Sequence, residues 1–209
     1  MSAAFDTVLQ SYRRRLADEA ALMSELSQEQ FGARRDEILL AVGEDTARFL
    51  QATVIGLGAR HIVEVGTSYG YSTLFLAQAA ERTGGKVTTY EMSATKQAYA
   101  REQIAKAGLA AQVQWKSGDA VKLLEKESAG VDFALIDLWK DLYIPCFERL
   151  YPLLSPNAVV VADNMIHPEH TRPQAAAYRA QVRAKPDVEA LLLPIGSGID
   201  VCRKIAGAT

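Results

Sequence analysis

The stretch VDFALIDLWKDLYIPCFERLYPLLSPNAVVVADNMI, Val131 to Ile166, decides the fold. It holds two short apolar runs, Phe133–Ile136 and Ala158–Ala162, and each stops abruptly at an acid, Asp137 and Asp163. Such runs predict buried parallel strands. The segment between them is long enough for a crossover helix, so both acids emerge side by side at the carboxyl edge of one sheet, where open α/β folds place their ligands. Two carboxylates and the amide of Asn164 then meet. Oxygen donors converging with open positions suit a hard cation of the magnesium type, completed by waters and substrate oxygens. Lys140, one helical step beyond Asp137, would sit over that ion, where a dication and burial both favour the neutral amine and make it a candidate proton acceptor. The alternative open at this point is that both acids merely cap the elements following their strands.

The rest of the chain fits one domain. It has 209 residues, 49% hydrophobic and 23% charged, with a formal net charge of −2. This is an ordinary globular composition, without the basic bias that a duplex nucleic acid partner favours. Cys146 and Cys202 sit in apolar contexts and read as buried reduced thiols, which fits a cytoplasmic location. No apolar run approaches a membrane span, and the N-terminus lacks a signal-peptide pattern, so neither membrane nor export is expected.

Apolar residues at helical spacing, Phe5, Val8, Leu9, Tyr12, Leu16, Leu22 and Leu26, predict a helix from Ala3 to about Leu26. Arg13, Arg14 and Arg15 read as its solvated face, with contact to an anionic substrate the lesser alternative. A loop or broken helix follows over Ser27–Gly43, and Glu44 and Asp45 open a second helix reaching about Leu57. Residues 1–58 thus form an N-terminal helical layer and 59–209 an α/β core. Strands are expected at His61–Val65, Lys86–Tyr90, Gln112–Trp115, Phe133–Ile136, Ala158–Ala162, Glu189–Leu193 and Ile199–Arg203, with helices between most of them. Alternation of β and α predicts a doubly wound, mostly parallel seven-stranded sheet with helices on both faces. The five residues Pro194 to Gly198 are too few for a parallel crossover, so the last strand turns back antiparallel.

The first strand ends in VEVGTSYGYS, where Gly66 and Gly70 bracket a tight turn containing Ser68 and let backbone approach a ligand closely. Glu91, at the end of the second strand, is placed to accept two ribose hydroxyls, and Asp119 after the third to accept from an adenine amino group. The phosphate-binding G-x-G-x-x-G and G-x-x-x-x-G-K-[ST] patterns are missing. A ligand with adenine and ribose but no phosphate is S-adenosylmethionine. Glu64, inside a strand, either reaches the methionine ammonium through an intermediary or pairs with a neighbour.

On these residues the chain resembles the class I S-adenosylmethionine methyltransferases, and among them the metal-dependent catechol and caffeoyl-CoA O-methyltransferases. The likeness runs from about Leu40 to Lys204. Its strongest points are AVGED at Ala41–Asp45, VEVGTSYGYS at Val63–Ser72, YEM at Tyr90–Met92, IDLWKDLY at Ile136–Tyr143 and VVADNMIHP at Val160–Pro168. The resemblance implies that Asp137, Asp163 and Asn164 hold magnesium or another divalent cation and that Lys140 takes the proton of a substrate hydroxyl. It implies further that Glu91 holds the ribose, Met92 and Trp139 flank the adenine, Val42 and Gly43 close over the methionine part, and Ser72 contacts its carboxylate. Trp139 and Pro168 would wall a flat substrate, touched also by Lys140 and Asn164. Leu138 stands where animal catechol enzymes have a histidine, and around Leu191 no acid matches their second catechol contact. The expectation is methyl transfer to a small aromatic hydroxyl, with a homodimer kept open as the assembly. The rivals are a metal-independent methyltransferase of the same fold and a non-catalytic cofactor-binding module. His167 and His170 in HPEH suggest zinc only weakly, because Pro168 breaks any helix that would align them.

Overall fold

The computed structural model describes residues 2–25, 27, 29–30, 34 and 37–206. Seven strands form one sheet: β1 His61–Val65, β2 Lys86–Glu91, β3 Val113–Ser117, β4 Val131–Ile136, β5 Leu154–Ala162, β6 Val188–Leu193 and β7 Ile199–Lys204. Their order is β3-β2-β1-β4-β5-β7-β6. The first five strands pair in parallel, while β7 runs antiparallel to both β5 and β6. The expected doubly wound sheet with its antiparallel last strand is therefore what forms. β7 does more than close a hairpin, since it inserts between β6 and β5 and so bonds to strands on both sides.

Helices α1 Ala3–Glu25, α2 Glu44–Leu57, α3 Tyr71–Thr83 and α4 Ala94–Lys106 supply one layer. Their apolar residues, with Phe5, Leu9, Leu50, Leu74 and Ile104 among them, pack on Ile62, Phe133, Leu135 and Val161. The short α5 Ala120–Leu123, with α6 Tyr143–Leu150 and α7 Arg172–Arg183, covers the other face. There Phe147, Tyr178 and Val182 pack on Val63, Ala134 and Val160. The layers change sides between β1 and β4, which makes that pair the topological switch point.

Some boundaries differ from those the sequence predicts. β5 starts at Leu154 rather than Ala158, with its register on β4 broken between Val131 and Phe133. Pro156 cannot donate to the ladder and Asn157 is left-handed (φ 67°), so the strand bulges and the pattern looks interrupted. β3 begins one residue late because Gln112 ends a short 3₁₀ turn, and it continues through polar Lys116 and Ser117 as an edge strand can. Phe5, Val8, Leu9 and Tyr12 are buried as expected of the first helix, whereas Leu26 lies outside the described residues. The three arginines are not one solvated face. Arg13 makes a bidentate pair with Glu44, and the Arg15 guanidinium lies 4.0 Å over the Tyr69 ring while bonding Glu19 at 2.6 Å. Cys146 and Cys202 are both buried. Among the described residues no helix is long and apolar enough to cross a membrane.

Candidate active site

Strand register builds the site. Val65 pairs with Ile136 and Ile136 with Ala162, so the next residues of three neighbouring strands, Gly66, Asp137 and Asp163, line up along the carboxyl edge. The β1 and β4 backbones meet there so closely that a Cβ on Gly66 (φ 105°) would lie 1.8 Å from the Asp137 carbonyl oxygen. Only glycine fits at that position.

Neither acid caps a helix. The turn after Asp137 starts at Lys140, with Trp139 at its cap position, and the turn after Asp163 starts at Glu169 behind Pro168. Asp163 is 1% exposed, and its Oδ1 has no hydrogen-bond partner. Burial holds both carboxyls well above the usual carboxylate range, and the Asp137 charge pushes Asp163 further up. Asn164 follows in the left-handed region (φ 55°), a conformation that asparagine tolerates better than most residues and that recurs at functional sites. Among the described residues no three of His, Cys, Asp and Glu gather into a group that could hold a metal ion.

Lys140 lies in the 3₁₀ turn Lys140–Leu142, and its Nζ donates to the Asp163 carbonyl at 2.6 Å. Burial lowers its pKa to about 8, against the opposing pull of Asp137 and Asp163. The Tyr143 hydroxyl reaches the same carbonyl at 3.2 Å, and the Lys140 Nζ sits 3.6 Å from the Tyr143 ring centroid. Sequence reasoning gave Tyr143 no role; an aromatic three residues after a candidate base was the available signal.

The cofactor candidates surround the Gly66 turn. Glu91 accepts the Ser68 amide on Oε2 and the Ser93 amide on Oε1, each at 2.8 Å, with Ser68 itself at φ 47°. Its neighbour Met92 is 68% exposed, and Trp139 is 55% exposed rather than a core aromatic. A carboxylate next to an exposed apolar side chain such as Met92 suits a sugar joined to a flat base. Asp119 caps α5 by accepting from the Val121 amide at 3.0 Å, which occupies one oxygen and leaves Oδ2 3.8 Å from the Lys122 amine.

Glu64 is held by neighbours. It accepts from the hydroxyls of Ser72 at 2.6 Å, Thr73 at 2.5 Å and Thr89 at 2.6 Å, while burial still pushes its pKa up to about 7. The Ser72 hydroxyl proton is therefore directed inward. Leu39, Leu40, Ala41 and Val42 lie against Gly66, Thr67 and Ser72, enclosing only about 10 Å³, roughly the room of one water. Gly43 (φ 84°) caps α2 directly after this segment. Beyond Asp163, the Met165, Ile166 and His167 amides bond to the Gly198 and Ser197 carbonyls, which ties the loop ending in Pro168 to the β6–β7 turn.

Fold and site together define a class I S-adenosylmethionine-dependent methyltransferase. The sequence pattern of one family, described as O-methyltransferase, matches residues 13–205. The chain belongs to that family. Catechol O-methyltransferase of Niastella koreensis is 35% identical over 131 residues, which cover 61% of this chain and 59% of that protein's length. Caffeoyl-CoA O-methyltransferase 2 of Petunia hybrida is 28% identical over 189 residues, 80% of this chain and 78% of that one. A crystal structure of the O-methyltransferase from Bacillus cereus in complex with SAH aligns with a TM-score of 0.74 and 26% identity, covering 98% of this chain and 91% of that one.

Proposed function

We propose that this O-methyltransferase transfers the methyl group of S-adenosylmethionine to a hydroxyl of a small catechol-like or phenolic acceptor, with a divalent cation held by Asp137, Asp163 and Asn164. The observation that carries the cation is the buried Asp163 Oδ1, which has no hydrogen-bond partner beside a second carboxylate. A buried unpartnered carboxylate oxygen is costly, and a hard cation is the ligand that relieves it. Two carboxylates and an amide are few donors, as befits a site that leaves positions for waters and substrate oxygens.

When bound, S-adenosylmethionine supplies an electrophilic methyl, and the cation supplies charge favouring an oxyanion over a phenol of pKa about 10. The chain's residues do the rest. Lys140 accepts the hydroxyl proton at Nζ, a role suited to an amine whose pKa burial has brought down to about 8. Trp139 and Pro168 wall the flat ring and limit the angles at which its oxygen approaches. Glu91 takes the ribose hydroxyls, Met92 and Trp139 the adenine faces, and Asp119 its amino group. Gly66, Ser68 and Gly70 let backbone approach the cofactor, and Val42, Gly43 and Ser72 enclose its methionine end near Glu64.

The test is methyl transfer to a panel of catechols and simple phenols in chelator and after magnesium is restored. Turnover abolished by chelation and recovered with magnesium is expected, with vicinal diols preferred. Full turnover in excess chelator would assign the chain to metal-independent methyl transfer.

A further inference from the structure

We propose that Tyr143 is a positioning residue for Lys140, its buried ring and hydroxyl forming a seat that fixes the amine against the Asp163 carbonyl. The inference rests on the reading of Lys140 as the proton acceptor. A lysine stem is long and flexible, and an unfixed amine samples many places from which it cannot meet a substrate proton.

Two surfaces remove that freedom. The Nζ lies 3.6 Å from the ring centroid, over a π face that an N–H of the amine can address in either protonation state, and donates to the Asp163 carbonyl oxygen at 2.6 Å. The Tyr143 hydroxyl donates to the same oxygen at 3.2 Å, using the second lone pair of one carbonyl. One peptide group is thus gripped by the amine and by the ring that supports the amine. That group belongs to Asp163 and joins it to Asn164, so the candidate base is gauged against the turn that carries two of the three candidate cation donors.

The seat is rigid. The Tyr143 ring is fully buried and meets Tyr178 edge-on at 5.6 Å and 86°, and Tyr178 meets Phe147 in the same manner at 5.8 Å. A tyrosine serving only to fill the core needs neither an amine over its face nor a hydroxyl bond to the carbonyl which that amine also holds.

The test combines proton NMR of lysine side chains with kinetics on Lys140→Ala, Tyr143→Phe, Tyr143→Leu and the double variant Lys140→Ala/Tyr143→Leu. Ring current should move the Lys140 ε-methylene resonance upfield in the wild type and in Tyr143→Phe, and the shift should vanish in Tyr143→Leu. Tyr143→Leu should lower kcat by about 10²-fold at unchanged KM, whereas Tyr143→Phe, which keeps the ring, should stay within about tenfold. In the Lys140→Ala background Tyr143→Leu should cost nothing more, a non-additivity that a merely structural tyrosine would not produce. Calorimetric affinities for S-adenosylhomocysteine and magnesium should be unchanged. An unshifted ε-methylene in the wild type, or losses that add in the double variant, would overturn the proposal. Should Tyr143→Leu fail to fold, the wild-type and Tyr143→Phe resonances decide. Retained turnover in Lys140→Ala defeats the base reading and the seat's purpose together. That result is distinct from failure of the seat alone, in which Lys140→Ala is inactive and Tyr143→Leu is not.

Discussion

Replacing Asp163 by asparagine removes a carboxyl whose ionisation burial and Asp137 oppose more than the Asn164 amide and Lys140 favour, and it should make the metal-free protein more stable while abolishing its function. Asp163 is 1% exposed, its Oδ1 lacks a partner, and Asp137 repels it. A buried unsatisfied polar group costs about 1–3 kcal/mol, and a charged one more. Asparagine keeps the shape and carries no charge at any pH. In chelator the variant should therefore gain about 1–3 kcal/mol. For a domain of this size each kcal/mol moves Tm by roughly 2–4 °C, so a rise of about 2–12 °C is expected. Magnesium should reverse the ranking, since a ligand at 1,000-fold excess over its Kd stabilises the wild type by about 4.1 kcal/mol and finds no competent site in the variant. The wild-type deficit also depends on pH. In the unfolded chain these carboxyls ionise near pH 4, whereas the fold keeps them protonated to higher pH. Above about pH 4 the native state then carries more protons, and the stability contributed by this pair falls as pH rises until the folded carboxyls also ionise. Melting curves in chelator and in magnesium at pH 5 and pH 8 measure all of this. An Asp163→Asn protein less stable than wild type in chelator at pH 8, or one still stabilised by magnesium, would refute the reasoning.

Further expectations concern the neighbouring groups. Glu91→Ala should weaken S-adenosylmethionine binding by about 1.5–3 kcal/mol by calorimetry, because ribose hydroxyls lose a charged acceptor; unchanged affinity would place the ribose elsewhere. Lys140→Ala and Lys140→Arg should both lose about 10²–10⁴ in kcat, since arginine keeps the charge but cannot accept the proton. Acceptors of lower phenol pKa should suffer less, and near-normal turnover in Lys140→Arg would exclude the base role. Gly66→Ala should fail to yield folded protein in expression and melting assays, because its Cβ would collide with the Asp137 carbonyl; a soluble, normally melting variant would contradict the strand contact.

What the sequence revealed was mostly what is encoded locally. The acids closing two apolar runs, the glycines after β1 and the start of α2 at Glu44 are signals readable within a few residues, and each stands where it was expected. The partners of Glu64 were not readable in that way. Ser72 and Thr73 come from α3 and Thr89 from β2, and only the packed sheet brings them to one carboxylate. The seat of β7 between β5 and β6 was hidden for the same reason, since a five-residue connection specifies a hairpin but not which outer neighbour it will pair with. Arg15 looked solvated because its aromatic partners, Tyr69 and Tyr99, lie far along the chain. For Asp119 the structure shows a helix cap, while the adenine contact remains part of the proposed function.

The contact between Gly66 and the Asp137 carbonyl bears on how tolerant this enzyme is of change. At Gly66 the loop that would cradle the methyl donor meets the main chain of Asp137 directly, and the Asp137 amide bonds to the Val65 carbonyl at 2.9 Å. Their spacing is therefore set by covalent geometry and strand pairing, which mutation alters far less readily than side-chain packing. On the proposed function, substitutions around Trp139, Pro168 or the β6–β7 turn should exchange one acceptor for another while the separation between donor and acceptor stays constant. New specificities in this scaffold should accordingly appear as changes in KM spread over many wall positions, with the intrinsic rate of methyl transfer inherited nearly intact.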